Sequence, residues 1–129
     1  GGVIVCTPQD VALIDAERAL NMYRQLKVPI LGIVENMSHF LCPHCDERTE
    51  IFGTGGARKL AEKEGVPFLG EIPINLQLRT RGDAGDIAEI YKEESPLRKT
   101  FDEICEKVVD QIDVQNSAAP ELPTLNLDN

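Results

Sequence analysis

Two cysteines three positions apart, in Cys42-Pro43-His44-Cys45, are the residues of this chain best suited to chemistry. Thiolates at i and i+3 can chelate one soft metal, cycle between dithiol and disulfide, or coincide without a role. A closed zinc or iron–sulfur site takes four ligands. The 129 residues hold no second C-x-x-C, and His39 and His44 are the only histidines. One such motif from each of two subunits would complete the set on a two-fold axis. Pro-His between the cysteines is also the dipeptide of strongly oxidising thiol oxidoreductases, where the first cysteine caps a long helix that lowers its pKa. The context here differs: Asp46-Glu-Arg-Thr-Glu50 follows, and Asp46, Glu47 and Glu50 are expected to disfavour a thiolate. The other two cysteines, Cys6 at the end of an apolar run and Cys105 on a helical apolar stripe, read as buried small hydrophobes.

Three further features invite a functional reading. Gly53-Thr54-Gly55-Gly56 opens a helical segment and could offer amide groups to an anion. It lacks the ending of a phosphate loop and the spacing of a dinucleotide fingerprint, so a turn with Thr54 as helix cap is the simpler expectation. The acidic run Glu89 to Glu94 has no clear pairing geometry and reads as a solvated face. Thr7, Asn36 and Pro73 each follow an apolar strand, and ligands of doubly wound sheets gather beyond the carboxyl ends of strands. From position alone Asn36 is either a turn former or a ligand contact.

The elements that must position these residues follow from periodicity. Gly2-Val-Ile-Val-Cys6 reads as a strand buried on both faces. Thr7 suits an N-cap, Pro8 the first helical position and Asp10 a capping box. Leu13, Ala16, Leu20, Tyr23 and Leu26 then recur at helical spacing. Ile30 to Val34 is a second buried strand, and the resulting strand–helix–strand unit implies parallel pairing. A segment from Glu35 to Gly53 follows, with the cysteine pair inside it. Gly55 to Glu64 predicts a helix closed by a left-handed Gly65, Phe68 to Ile72 a strand ended by Pro73, and Asn75 to Arg81 a helical turn. Leu97, Phe101, Ile104, Cys105, Val108, Val109 and Ile112 predict an amphipathic helix from Pro96 to Ile112. The fold class is therefore α/β, a three-layer parallel sheet with flanking helices. Residues 1–112 form the domain, and residues 113–129, mostly polar and small, are expected to be a disordered tail.

Composition narrows the function classes. With 42% hydrophobic and 27% charged residues the chain is of ordinary globular composition. Its net charge of −9 argues against nucleic acid as a partner, and no apolar run nears the ~18 residues of a membrane span. The first residues lack the basic region of a signal peptide. A strand opening the chain without an initiator Met suggests a piece of something longer, preceded by further strands.

Thr7-Pro-Gln-Asp-Val-Ala-Leu13, Gly32-Ile-Val-Glu-Asn-Met-Ser38, Cys42-Pro-His-Cys45, Ile51-Phe-Gly53 with Gly55-Gly-Ala57, and Leu69-Gly-Glu-Ile-Pro73 occur in that order. Over residues 1 to 85 this closely resembles the Mrp/ApbC family of iron–sulfur cluster carrier proteins, P-loop ATPases of the MinD/ParA-like class. The resemblance implies the C-terminal part of a doubly wound P-loop NTPase domain. It implies a homodimer whose two C-x-x-C motifs, here Cys42 and Cys45, jointly hold a labile [4Fe–4S] cluster for transfer to apo-proteins, with assembly factors as further partners. It makes Asn36 an adenine contact and puts Pro73 in the adenine-side loop of an ATP site, which in the full-length parent also takes Mg. Soft sulfur ligands suit such a cluster. The family's Walker-type loop and its Asp-bearing switch are missing from these residues and would lie upstream of Gly1. Without them the chain is not expected to hydrolyse ATP by itself. After Gly85 the family's basic residue and proline are replaced by Asp86-Ile-Ala-Glu. The competing readings are a zinc-binding dimerisation module and a thiol–disulfide oxidoreductase. The expected compartment is the cytoplasm, or an organelle if a targeting segment precedes Gly1.

Overall fold

The computed structural model describes residues 1–92 and 94–118. Three strands pair in parallel: β1 (Gly2–Cys6), β2 (Ile30–Leu41) and β4 (Phe68–Ile74), with β2 in the middle. A two-residue strand, β3 (Arg48–Thr49), returns antiparallel to the far end of β2, pairing Phe40 with Thr49 and Leu41 with Arg48. Phe40 also pairs with Ile74 of β4, so β3 lies on the edge of β2 that β1 occupies further back.

Alternation along β2 divides the molecule into layers, because successive strand residues face opposite sides. Ile33 joins Ile4, Cys6, Leu20, Ala57 and Leu60 under α1 (Asp10–Gln25) and α2 (Gly56–Glu64). Val34 joins Leu69 and Ile104 under α4 (Pro96–Ala118), with Val3, Ile72 and Val108 alongside. This helix–sheet–helix arrangement is the three-layer α/β fold expected from the sequence, with β3 as an antiparallel addition to the parallel sheet. Between β4 and α4 lie α3 (Leu76–Ala84) and a 3₁₀ turn, Ile87–Tyr91. Gly32 has φ +149°, and a Cβ there would stand 2.6 Å from the Pro67 carbonyl oxygen. The close approach of β2 to the start of β4 therefore requires glycine.

Several boundaries differ from expectation, each for a local reason. β1 is not buried on both faces: Ile4 and Cys6 are covered, but Val5 is 58% exposed because the α4 layer reaches Val3 and stops short of Val5. Thr7 does not cap α1. The first helical bond runs from Leu13 N to the Gln9 carbonyl, which makes Gln9 the cap, while the Thr7 hydroxyl donates to Gln9 Oε1. Both β2 and β4 outrun their apolar cores, so Asn36 and Pro73 lie within strands rather than after them. Helix α4 passes Ile112 and continues to Ala118, since no Gly or Pro interrupts residues 113–118 and Pro120 is the first breaker. The expected disordered tail therefore cannot begin at Asp113, and residues 119–129 lie outside the described residues. Gly65 closes α2 at φ 65° as its type predicted.

Candidate functional site

The segment after Glu35 forms a hairpin that carries the two thiols at its tip. Cys42 N donates to the Glu47 carbonyl at 3.0 Å, and Asp46 N to the Cys42 carbonyl at 2.9 Å, closing the turn with Asp46 in the left-handed region at φ 56°. Cys42 is half-buried and Cys45 exposed. The Cys42 thiol is held below its ordinary pKa, chiefly by the His44 backbone N–H, then by the Cys45 side chain and the Cys45 backbone N–H. Desolvation, followed by the charge of Asp46, opposes this. The expectation that neighbouring carboxylates disfavour a thiolate holds for Asp46, but amide groups aimed at the sulfur outweigh it and the net shift is downward. Among the described residues no three His, Cys, Asp or Glu side chains gather into a metal-holding group. The hairpin of one chain thus offers a two-thiol edge. His44 is exposed. His39 is turned to Ser38 Oγ at 2.8 Å, and burial, then the Arg48 charge, hold its pKa down.

Of the other two cysteines, Cys6 is buried as expected, and burial followed by the Glu35 charge pushes its thiol up to about 11. Cys105 is exposed, against expectation. Leu97 and Ile104 are buried on α4, with Phe101 and Val108 half-buried, while Cys105 sits one residue round the helix from that stripe.

A second feature lies at the carboxyl end of the parallel strands. Asn36 and Pro73 line one concavity of about 550 Å³ with Phe40, Ile74, Leu76, Leu78 and Arg79. Asn75 caps α3 by accepting from Leu78 N at 3.0 Å, which fixes the floor. Met37, at φ 55°, breaks the register of β2 against β4 between Asn36 and Phe40. Its N–H donates to Asn36 Oδ1 at 2.9 Å, leaving the Asn36 amide N–H groups as donors on a mostly apolar wall. Such a cleft suits a flat heterocycle with ring acceptors.

The glycine turn holds a different answer from the expected one. Thr54 does not cap α2: Gly55, at φ 64°, precedes the helix, and Ala57 N donates to Glu35 Oε2 at 2.8 Å. The anion invited by this helix start is the buried carboxylate of Glu35. Sequence reasoning missed Glu35, although a lone acid after Ile-Leu-Gly-Ile-Val was the available signal. Beside the turn, a cleft of about 590 Å³ between α1 and α2 includes Lys59 and Lys63, the latter bonded to Glu17 at 2.7 Å. Among the described residues no helix is long and apolar enough to cross a membrane.

Known proteins resemble this chain over most of its length. The family model "ParA: NUBPL iron-transfer P-loop NTPase" matches residues 1–109. The iron-sulfur cluster transfer protein NUBPL of Dictyostelium discoideum is 48% identical over 117 residues, 91% of this chain and 36% of that protein. The iron-sulfur cluster carrier protein of Pyrococcus horikoshii is 49% identical over 110 residues, 85% of this chain and 37% of that one. An Arabidopsis thaliana mitochondrial iron-sulfur protein required for NADH dehydrogenase is 47% identical over 109 residues, 84% of this chain and 35% of its own length. A nucleotide-binding protein of Archaeoglobus fulgidus, solved with ADP and containing cobalt, superposes with a TM-score of 0.60 at 46% identity, covering 68% of this chain and 36% of that one. The chain spans about a third of the length of the curated relatives it matches.

Proposed function

Because this chain belongs to the ParA-like NUBPL iron-transfer P-loop NTPase family, we propose that it takes part in carrying iron–sulfur clusters to apo-proteins. The cluster is the cargo, held by Cys42 and Cys45. The observation that carries this reading is the hairpin tip, where two thiols stand accessible and backbone amides favour the thiolate of Cys42. Thiolates are the protein ligands of such clusters. Two sulfurs satisfy half of a [4Fe–4S] cluster, so a homodimer sharing one cluster between two hairpins completes the set. Cargo held at an exposed tip by two ligands from each side is open to a recipient's thiols, which suits transfer to apo iron–sulfur proteins and exchange with assembly factors.

The cleft around Asn36 and Pro73 takes the adenine ring of ATP in this reading. The Asn36 amide N–H groups donate to ring nitrogens, and Phe40, Pro73 and Leu76 exclude water from the faces of the ring. The relatives' printed names and the ADP bound to the Archaeoglobus fulgidus protein support both halves of the proposal. ATP, when bound with Mg, supplies hydrolysis energy, and that step belongs to the whole protein.

Anaerobic reconstitution with iron and sulfide tests the reading. A brown product with broad absorbance in the blue, formed in proportion to dimer, is the expected result. Colourless zinc uptake without cluster formation would favour the zinc-binding dimerisation module. Reduction of insulin disulfides by the Cys42/Cys45 dithiol, which is itself oxidised to a disulfide, would favour the oxidoreductase.

A further inference from the structure

Glu35 is 1% exposed in the middle of the central strand, paired in register with Cys6 of β1 on one side and Glu71 of β4 on the other. A carboxylate removed from water is costly unless it is bonded or paired. Among the described residues no cationic side chain pairs with Glu35, and the hydrogen bond it accepts comes from Ala57 N at the start of α2. The backbone leaves regular geometry immediately beyond it. Asn36 lines the cleft, Met37 takes a positive φ of 55°, and the β2–β4 register shifts before Phe40. Glu35 and Asn36 point to opposite faces of one strand, so anchoring the first restricts the peptide plane that carries the second.

We infer that Glu35 is a positioning residue for the cleft: its carboxylate, clasped by the first turn of α2, holds β2 in the conformation that presents the Asn36 amide. The glycine turn is part of the device. Gly55 at φ 64° and Gly56, whose Cβ would meet Leu13 Cδ1 at 2.7 Å and the Pro8 carbonyl oxygen at 2.8 Å, let α2 begin close enough to reach Glu35. A helix start attracts negative charge as well as an acceptor atom, so an amide in place of the carboxylate keeps the shape and weakens the clasp.

This inference rests on the proposed role of Asn36 as a base contact, and the test separates the two. Amide spectra of the full chain are recorded for the native protein, Glu35→Gln and Asn36→Ala, each titrated with adenosine. In Glu35→Gln we expect unchanged amides around Leu20, Ile33 and Leu69. The Ala57 amide proton should move upfield, the Asn36 and Met37 amides should shift with it, and adenosine affinity should fall about tenfold, equivalent to about 1.4 kcal/mol. If Ala57 moves while Asn36, Met37 and the adenosine titration do not, Glu35 only caps a helix and the proposal fails. A Glu35→Gln chain that does not fold also overturns it, since the carboxylate would then belong to the folding core. If the native protein shows no response to adenosine, the base-contact reading fails by itself, and the Asn36 and Met37 shifts in Glu35→Gln still decide the positioning claim.

Discussion

Alkylating the four thiols under native conditions should divide them by environment. Burial and the Glu35 charge raise Cys6 from an ordinary 9.0 to about 11. At pH 8 a thiol of pKa 9.0 is about one-tenth thiolate and one of pKa 11 about one-thousandth, so Cys6 has roughly a hundredfold less nucleophile available. Its 8% exposure adds a need for local opening before a reagent can reach it. Cys42 is shifted the other way by the His44 amide and its neighbours, and Cys45 and Cys105 are exposed. Iodoacetamide at pH 8 with peptide mass spectrometry should therefore label Cys42 at least about a hundred times faster than Cys6, and the exposed Cys45 and Cys105 should also be modified well before the buried Cys6. The pH profiles carry the signs. Labelling of Cys42 should level off below the ordinary thiol range, because its thiolate forms early, while labelling of Cys6 should still be rising above pH 10. Cys6 reacting within tenfold of Cys45, in protein whose circular dichroism is unchanged, would refute the account of a buried thiol beside a buried carboxylate.

Gly32→Ala should cost about 2–4 kcal/mol in urea unfolding, because the new methyl meets the Pro67 carbonyl oxygen and φ +149° strains an L-residue; a loss below about 0.5 kcal/mol would contradict the close approach of β2 and β4. Adenosine should shift the amides of Asn36, Phe40 and Leu78 in the native chain and leave those of Asn36→Ala nearly unmoved; equal responses would remove Asn36 from the base site. Purified chain should show no magnesium-dependent ATPase activity above background, and turnover abolished by Asn36→Ala would overturn that expectation.

The layers were legible because burial writes periodicity into sequence. The apolar runs at Gly2–Cys6, Ile30–Val34 and Phe68–Ile72, with helical stripes between them, correspond to β1, the apolar first part of β2, most of β4 and the covering helices. Their outer reaches were not legible. β2 continues through Asn36 to Leu41 by pairing with β3 and β4, and such partners leave no local apolar pattern. The same holds for caps. Thr54 is a good capping residue by type, yet α2 takes its acceptor from Glu35, distant in sequence. The cysteine pair was legible as a motif, but the lowered pKa of Cys42 was not, since it depends on where the His44 and Cys45 amides point. Cys105 misled because the whole apolar stripe of α4 looks equally buried in sequence, while the sheet covers only the side bearing Leu97 and Ile104.

In the proposed role Cys42 and Cys45 hold the cluster and two chains share it. The most direct measurement is anaerobic reconstitution of the native chain, the Cys42→Ser/Cys45→Ser double variant, Cys6→Ala and Cys105→Ala, with iron, sulfide and molar mass determined on the same fractions. One four-iron cluster per dimer is expected in the native chain, Cys6→Ala and Cys105→Ala, and neither iron nor sulfide in the double serine variant. Cluster retained by the double variant would contradict the ligand assignment, and a full cluster on a strict monomer would contradict the sharing.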